Sequence, residues 1–589
     1  MTIEHSSNSD SHSTNASTRP AGLRGMITAT VFATVVLGIL FSTFNFWNER
    51  FNMNPGLPNV MLIAVALIGW LSWSIWLMFV PKYRWIGGLI LVVPALGLFL
   101  YHPEFGGDAN IVGWQPRFSS GSANLPVVTE SGDPAESNSL NQTPFDFPQF
   151  LGTERNGIVA NVALQPNWET TPPKLRWKQS IGEGWSGFAI VNRLAFTQEQ
   201  RDELECVTCY DIETGSLVWM HSAVRRHEDM LGLGKVGPRA TPTVYDGKVY
   251  ALGATGVLEC LDGSSGNLIW SVDIPQQVGI SQKTRNNSRG LEFTEEDSNL
   301  VWGRSGSPLI HENKVIVPAG ISINGDQQRA ATLIAYELNS GNEIWRGGQR
   351  MIGYGSPSIA TIHGQPQILL MGEDHVVGHD PQTGAELWCH YRPGNSSRDA
   401  NCSQVTALGD NQLLLSKGYN LGGETIEIKR DTSDQFSVLS IAADRRVLKT
   451  KLTNPIIFER HAYSLSDGFL ECVQLPSLQR KWKKRGRFGN GQLLLVGSHF
   501  LVHSEDGQLI LVAADPNQYV ELGSIKTING TCWNTIGFYR NLVLVRSERE
   551  AACFELAVSF DKVATMPTAP TLADLLSRLS LQHKPQENR

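Results

Sequence analysis

Hydrophobic positions fall into two patterns that divide the chain. Three apolar runs cover about residues 26–47, 58–80 and 85–101, and none of them contains Lys, Arg, Asp or Glu. A bilayer core is crossed by roughly 17 to 25 helical residues. Residues 26–101 are therefore predicted to form an anchor of three transmembrane helices, after a disordered polar tail over residues 1–25. A cleaved signal peptide would account for the first run alone.

Basic residues beside the apolar runs predict the direction of the anchor. Arg19 and Arg24 precede the first run, and Lys82 and Arg84 lie between the second and the third. Short loops that carry Lys and Arg remain in the cytoplasm. This rule places the N-terminus in the cytoplasm and the chain after Tyr101 outside. The expected location is the inner (cytoplasmic) membrane, with lipid around the helices and an extracytoplasmic (periplasmic) domain.

Two further segments lack the alternating pattern of the central region. Residues 102–145 are rich in Gly, Ser, Asn and Pro, which predicts a flexible linker. The alternative is an irregular but ordered cover on the next domain. At the other end, Thr571 and Asp574 have capping-box spacing before leucines at helical spacing. Residues 566–589 are therefore predicted to be a short helix, Thr571–Leu581, and a polar tail.

Short alternating segments separated by Gly, Asp, Asn and Pro fill the central region, the pattern of strands and turns. One unit recurs there, in which an acid is followed by Gly after four residues and by Trp after eight. The four full copies are Asp211, Gly215 and Trp219; Asp262, Gly266 and Trp270; Glu337, Gly341 and Trp345; and Asp380, Gly384 and Trp388. A degenerate copy ends at Trp482, and a worn copy is expected around residues 444–448.

The recurring unit has the chemistry of a hairpin turn followed by a strand. The acid can accept backbone N–H groups of the turn, and Gly can take a positive φ. The Trp is too large for one four-stranded sheet to bury, so neighbouring sheets must stack. Eight units of about 48 residues fit between Trp177 and Ser559, which is propeller-blade size. The prediction is an all-β, eight-bladed propeller of four-stranded blades over residues 146–565, with a charged insertion over about 276–299.

Charge and composition exclude two classes of protein. The chain has 49 basic and 56 acidic residues, a net charge of −7, so it lacks the basic balance of a nucleic-acid-binding protein. Hydrophobic residues make up 41% of the chain, which argues against a disordered protein. The acids of the repeats lie on separate blades, so they are not expected to form a metal site.

The Asp-x-x-Thr-Gly-x-x-x-Trp unit resembles the pyrroloquinoline quinone (PQQ)-type propeller repeat. That family includes the quinoprotein alcohol dehydrogenases and the BamB-like lipoproteins. The phrases over residues 147–152 and 237–242 are also similar to those of membrane-tethered bacterial members. The resemblance implies one of two roles. The first is BamB-like binding of an envelope protein or peptide, and the second is PQQ- and calcium-dependent oxidation of alcohols or sugars by a membrane-bound dehydrogenase.

Cysteine positions favour the first role. The resemblance to quinoprotein dehydrogenases implies a disulfide between adjacent cysteines and Glu, Asn and Asp ligands for calcium. This sequence has no adjacent cysteine pair, and no calcium ligands can be assigned. No Cys precedes Cys206, so a lipoprotein anchor like that of BamB is not expected either. We therefore expect a non-catalytic scaffold or binding module without catalytic residues, metal or cofactor, and keep the dehydrogenase as the alternative.

The central funnel of the propeller is the place to expect a ligand. Recurring Thr-Pro and Ser-Pro steps are predicted to lead into the innermost strands. The residues just before these steps, and the corresponding stretch of the first blade, are candidates to line the funnel: Trp185, Arg239, Arg304 and Tyr354. Two arginines at one mouth could hold an anionic ligand or an acidic peptide. In the alternative interpretation, they satisfy backbone carbonyls between blades.

Overall fold

The computed structural model divides into two compact units, one ending at Gly97 and the other starting at Leu98 apart from three residues near position 55. The residues that the structure describes are 56–105, 111–116, 125–127, 140, 142–160, 162–229, 234–287, 290–320, 329–484, 486 and 488–559. The predicted polar tail, the first apolar run and the predicted C-terminal helix lie outside these ranges.

Two helices form the first unit, α1 (Gly56–Phe79) and α2 (Arg84–Leu100). Within the described ranges, one segment is long and apolar enough to cross a membrane, Asn59–Phe79, whereas α2 is apolar but shorter. The helices pack closely at Gly87, where an added Cβ would lie 2.7 Å from the Ser74 carbonyl oxygen. The second and third apolar runs thus form helices close to their predicted bounds.

Eight antiparallel four-stranded blades follow one another in the second unit, and one of them is extended by a short fifth strand, which confirms the predicted eight-bladed, all-β propeller. Blades 1 and 2 comprise β6 (Ala189–Val191), β7 (Leu194–Arg201), β8 (Leu204–Asp211) and β9 (Leu217–Val224), then β10 (Thr243–Tyr245), β11 (Lys248–Leu252), β12 (Val257–Asp262) and β13 (Leu268–Asp273). Blades 3 and 4 comprise β16 (Leu309–His311), β17 (Lys314–Gly320), β18 (Ala331–Glu337) and β19 (Glu343–Gly347), then β20 (Ser358–Ile362), β21 (Gln365–Met371), β22 (His375–His379) and β23 (Glu386–Tyr391).

The later blades keep the same order. Blades 5 and 6 comprise β24 (Thr406–Gly409), β25 (Gln412–Lys417), β26 (Gly422–Arg430) and β27 (Phe436–Asp444), then β28 (Ile456–Phe458), β29 (His461–Ser466), β30 (Phe469–Gln474) and β31 (Gln479–Lys483). Blade 7 comprises β32 (Gln492–Val496), β33 (His499–His503), β34 (Gln508–Ala513) and β35 (Glu521–Lys526), and blade 8 begins with β36 (Gly537–Tyr539), β37 (Leu542–Arg546) and β38 (Glu550–Glu555).

The ring closes with a strand from the start of the domain. The fourth strand of blade 8 is β5 (Lys174–Ser180), which pairs antiparallel with β38 and places Trp177 opposite Cys553. Blade 8 is therefore built from both ends of the domain and has four strands. Three strands of two residues each supplement the blades: β3 (Ile158–Val159), which extends the sheet of blade 7, and β4 (Ala163–Leu164), which pairs with β39 (Val558–Ser559).

Most tryptophans of the repeat join their own blade to the next one. The Trp219 indole N–H donates to the carbonyl of Gly263 in blade 2 (3.0 Å), and its ring packs on Gly266 of the same turn. The other copies that donate in this way to a turn carbonyl are Trp177, Trp270, Trp345 and Trp482. The turn glycine Gly266 has φ +75°, and an added Cβ would lie 2.5 Å from the Trp219 ring.

Blade 5 departs from the repeat. The worn copy expected around residues 444–448 is not a hairpin turn, because β27 ends at Asp444 and the turn lies between β26 and β27. There Asp431 accepts the backbone N–H groups of Ser433 (2.8 Å) and Gln435 (2.9 Å). The preceding Trp388 donates instead within its own blade, to Gln367 (2.7 Å).

Segments predicted to be loops contain strands. Within the predicted linker, β1 (Tyr101–Phe105) pairs with β2 (Ile111–Pro116), and Pro126 accepts a hydrogen bond from Arg201 of blade 1 (2.8 Å). Aromatic and β-branched residues in these two stretches favour strands. The predicted insertion comprises helix α3 (Ile274–Gln277) and a hairpin of β14 (Gln282–Asn286) and β15 (Glu292–Glu296).

Candidate functional site

The central channel has two different ends. In each blade, the innermost strand is preceded by the loop from the previous blade. Because the four strands are antiparallel, this entry loop lies at the same end of the channel as the loop between the second and third strands. We call this end the loop face. The turns between first and second strands and between third and fourth strands lie at the other end, the turn face. The repeat turns that receive the tryptophans therefore belong to the turn face.

The channel segment, residues 147–159, occupies the axis from the turn face. Phe147 exchanges two backbone hydrogen bonds with Ile190 of blade 1 (2.7 and 2.8 Å), and the Val244 N–H of blade 2 donates to Pro148 (2.8 Å). At its other end, β3 pairs in parallel with β32 of blade 7. Asp146 accepts from Asn192 in a turn of blade 1, so the segment begins at the turn face.

Arg155 fixes the middle of the channel segment. Its guanidinium donates to the carbonyls of Ser307 (3.1 Å) and Pro308 (2.9 Å) at the start of blade 3. Its own carbonyl accepts from the Gln404 side chain of blade 5. The side chain is buried, and burial lowers its pKa to about 9. The segment enters from the turn face and contacts several blades along the axis. A ligand is therefore expected to meet the protein at the opposite end, the loop face.

The Thr-Pro and Ser-Pro steps form the neck of the funnel. The Gly187 N–H donates to the Thr241 hydroxyl (3.2 Å), the Thr241 N–H to the Ser307 hydroxyl (3.0 Å), and the Ser307 N–H to the Ser356 hydroxyl (3.0 Å). Each hydroxyl thus satisfies the backbone of the preceding blade. This contact explains why a small hydroxyl residue recurs before the innermost strands.

Two pairs of aromatic rings lie at the loop face. Trp185 stacks on Trp533 with ring centroids 4.3 Å apart, and the indole N–H of Trp185 donates to Gly234 (2.8 Å). Trp302 lies beside Tyr354 with centroids 5.5 Å apart. Trp302 and Trp533 are partly exposed, whereas Trp185 and Tyr354 are buried beneath them. The exposed members offer flat, amphipathic surface of the kind that anchors peptides.

Arg239 lies between these aromatic pairs. Its Nε donates to the Trp302 carbonyl, and an added Cβ on Gly234 would lie 3.3 Å from its Nη2. Burial lowers the pKa of Arg239 to about 10, opposed by the nearby charge of Asp229. Burial raises the pKa of Cys402 to about 12, and the positive charge of Arg239 opposes this rise. Arg239, from the loop into blade 2, therefore reaches the region of the loop into blade 5.

Arg304 lies in a different environment from Arg239. It is only 2% exposed, and it donates to Glu296 (2.9 Å) and to the carbonyls of Pro318 (3.2 Å) and Ala319 (2.6 Å). These contacts tie the β14–β15 hairpin to blade 3. The structure thus brings Trp185, Arg239 and Tyr354 to one funnel and commits Arg304 to backbone carbonyls.

Several residues of the funnel were not among the predicted ones. Trp302 and Trp533 precede innermost strands, as Trp185 does, but no Thr-Pro or Ser-Pro step follows them closely enough to mark them. Lys235 lies 5.7 Å from the Trp185 ring and pairs with Glu548 (2.9 Å). The one signal in the sequence that could have found the tryptophans is their position in the loops between blades.

The described acids near the loop face do not form a calcium-binding group. Within the described residues, no group of three or more His, Cys, Asp or Glu side chains could hold a metal ion. The acids near the loop face already have partners: Glu296 binds Arg304, Glu548 binds Lys235, and Glu373 accepts from Asn299 (2.9 Å). Calcium takes six to eight oxygen ligands, commonly including carboxylates. All eight cysteines are free thiols in the structure.

Comparison with known proteins bears on the repeats directly. The family model described as outer membrane protein assembly factor BamB matches residues 167–290 and 203–434, which contain all four full copies of the unit. Residues 167–434 belong to the PQQ-type repeat propellers. No curated protein matches this PQQ-type propeller significantly in sequence.

Solved structures resemble the PQQ-type propeller in fold. A europium-containing methanol dehydrogenase aligns with a TM-score of 0.52 and 12% identity, over 71% of this chain and 99% of the dehydrogenase. BamB from Moraxella catarrhalis aligns with a TM-score of 0.42 and 15% identity, over 65% of this chain and 100% of BamB. Quinohemoprotein alcohol dehydrogenase from Comamonas testosteroni aligns with a TM-score of 0.47 and 13% identity, over 73% and 82%. At these identities the likeness concerns the fold alone.

Proposed function

We propose that this propeller is a non-catalytic binding module or scaffold, held outside the cytoplasmic membrane, whose loop-face funnel receives a segment of an envelope protein or peptide. The observation that carries the proposal is the funnel lining. Partly exposed Trp302 and Trp533 lie near Arg239 at the loop face. Aromatic residues and Arg are the side chains that dominate binding energy at protein interfaces.

The proposed anchor rests on the apolar runs and their flanking charges. Helix α1 contains a segment of membrane-spanning length, and α2 and the run over residues 26–47 would complete three crossings. Lys82, between α1 and α2, and Arg84, the first residue of α2, favour a cytoplasmic position for that link. Reporter fusions after residues 52, 82 and 120 test this topology. Periplasmic activity at 52 and 120 and cytoplasmic activity at 82 are expected, and any other pattern would contradict the three-helix anchor.

The binding role is tested with a defined probe. The full-length chain in detergent is titrated calorimetrically with acetyl-Ala-Gly-Phe-Ala-Phe amide. Binding is expected, and it should weaken about tenfold in Trp302→Ala and Trp533→Ala, because each removes an exposed aromatic surface worth about 1 to 2 kcal/mol. Trp114→Ala is the matched control, because Trp114 is exposed on the β1–β2 hairpin. Equal loss in the control, or binding that no funnel variant changes, would place the peptide elsewhere.

The alternative function is a PQQ- and calcium-dependent dehydrogenase, and the fold likeness to the methanol dehydrogenase favours it. Its test is incubation of the full-length chain with PQQ and calcium chloride, followed by absorbance of the bound quinone and dye reduction with alcohols and sugars. We expect neither signal, because the carboxylates of the funnel are already paired. Alcohol-dependent dye reduction would replace the binding proposal with the dehydrogenase.

A further inference from the structure

We infer that Arg239 is a receptor for a ligand carboxylate, supplied by the C-terminus of a peptide or by an acidic side chain. The inference rests on the proposed function and names the chemistry that the funnel would select. Arg239 projects from the loop into blade 2 toward Tyr354 and Cys402, from the loops into blades 4 and 5. Arg239 as a whole is partly exposed, so a ligand entering at the loop face can reach it.

The hydrogen bonding of Arg239 is incomplete. In the described residues its side chain makes one hydrogen bond, to the Trp302 carbonyl, and its buried Nη2 has no partner. No carboxylate of the described chain lies within 4.0 Å of it, and Asp229 acts on it only over a longer distance. A guanidinium group carries five N–H donors, and leaving them unpaired away from water is costly. An incoming carboxylate could accept two of them side by side.

The buried arginines of the propeller differ in this respect from Arg239, which is partly exposed. Arg304 donates to Glu296 and to two backbone carbonyls. Arg546 donates to the Thr197 hydroxyl (2.7 Å) and to backbone carbonyls of blades 8 and 1. Arg392 pairs with Glu424 and also donates to two carbonyls. Among the described residues, Arg304 Nη2 and Arg392 Nε also lack a partner, but both arginines make three hydrogen bonds within the propeller, whereas Arg239 makes one.

The surroundings of Arg239 suit a carboxylate next to an aromatic side chain. Trp302 and Trp533 are partly exposed on either side, and the Lys235 ammonium lies near Trp185 while paired with Glu548. A carboxylate bound to Arg239 would thus lie between flat apolar surfaces. Those surfaces exclude water and strengthen the charge-assisted hydrogen bonds. The geometry favours a peptide that ends in an aromatic residue, or a peptide in which an acidic residue lies next to an aromatic one.

Four probes separate the two sources of carboxylate. The full-length chain is titrated with acetyl-Ala-Gly-Phe-Ala-Phe carrying a free C-terminus, with the corresponding amide, and with amides in which Glu or Gln replaces the second Ala. Either the free acid should bind at least tenfold more tightly than its amide, or the Glu peptide should bind at least tenfold more tightly than the Gln peptide. The pair that shows the difference identifies the source.

Substitution of Arg239 completes the test. Arg239→Gln should abolish the preference for a carboxylate while leaving the binding of the amide within about twofold. Its thermal midpoint should equal or exceed that of the wild type, because removing an uncompensated charge relieves its desolvation. Arg193→Gln, on the turn face and exposed, is the control that should change neither.

The outcomes are distinguishable. If peptides bind through the tryptophans but acid and amide bind equally, the carboxylate inference falls while the binding function stands. If no probe binds, both fall. A preference for carboxylate that survives Arg239→Gln would overturn the assignment to Arg239. A fall in the thermal midpoint of Arg239→Gln to that of Arg304→Gln would show that Arg239 has the same structural role.

Discussion

Contact between a repeat tryptophan and the turn glycine of the next blade can be tested with two glycines of blade 2. Gly266 has φ +75° and Gly247 has φ +72°, so alanine at either site meets the same backbone strain, about 1 to 2 kcal/mol. An added Cβ at Gly266 would lie 2.5 Å from the Trp219 ring, whereas at Gly247 nothing lies within 4 Å. The two substitutions therefore differ only in the contact with Trp219.

Gly266→Ala should consequently destabilise the propeller more than Gly247→Ala. Overpacking of a well-filled interface costs about 1 to 3 kcal/mol beyond the backbone strain. The thermal unfolding midpoint of the full-length chain, followed by tryptophan fluorescence, should fall further for Gly266→Ala by about 2 °C or more. In a Trp219→Ala background the two alanine variants should become equal, because the ring that the methyl group meets is gone. Equal midpoints in the wild-type background, or a difference that persists without Trp219, would refute the reasoning.

Further predictions concern the channel segment and a buried acid. Arg155→Ala should destabilise the propeller by about 2 to 3 kcal/mol in urea unfolding, because it leaves the Ser307 and Pro308 carbonyls unpaired. The control is Arg193→Ala, which should cost under about 0.5 kcal/mol because the Arg193 side chain is half-exposed. Glu205 has a pKa raised to about 7 by burial, so the folded chain holds a proton that the unfolded chain releases above about pH 4.5. Stability due to this group is therefore lost as the pH rises from about 4.5 to 7. Glu205→Gln should raise the unfolding midpoint at pH 8 and leave it nearly unchanged at pH 4, and the same gain at both values would contradict the assignment.

The blades could be predicted from the sequence because their signal is local and repeated. An acid, a glycine and a tryptophan at fixed spacing reflect one hairpin and one contact with the next blade, and Trp219 and Gly266 show both parts. Blade 5 was placed wrongly at residues 444–448 because its hairpin is longer and its turn, at Asp431, lacks the glycine and tryptophan spacing. The predicted number of eight blades was nevertheless correct, because the interval between Trp388 and Trp482 is long enough to require a blade there.

The funnel was harder to predict because its residues are brought together by ring closure. The channel segment pairs with β32, more than 300 positions along the chain, and nothing in its own composition indicates such a partner. Arg239 and Arg304 hold similar places in the sequence, before an innermost strand, yet one has a single hydrogen bond and the other binds Glu296. The two arginines differ because the β14–β15 hairpin supplies Glu296 to Arg304. In the sequence this hairpin was recognisable only as a charged insertion.

Hydrogen exchange on the full-length chain, with and without a saturating pentapeptide probe, tests most directly whether the funnel is the binding site. The account predicts slower amide exchange in the loops that carry Trp185, Arg239, Trp302 and Cys402, and unchanged exchange in the repeat turns of the turn face. Protection confined to the outer strands or to the turn face would contradict it.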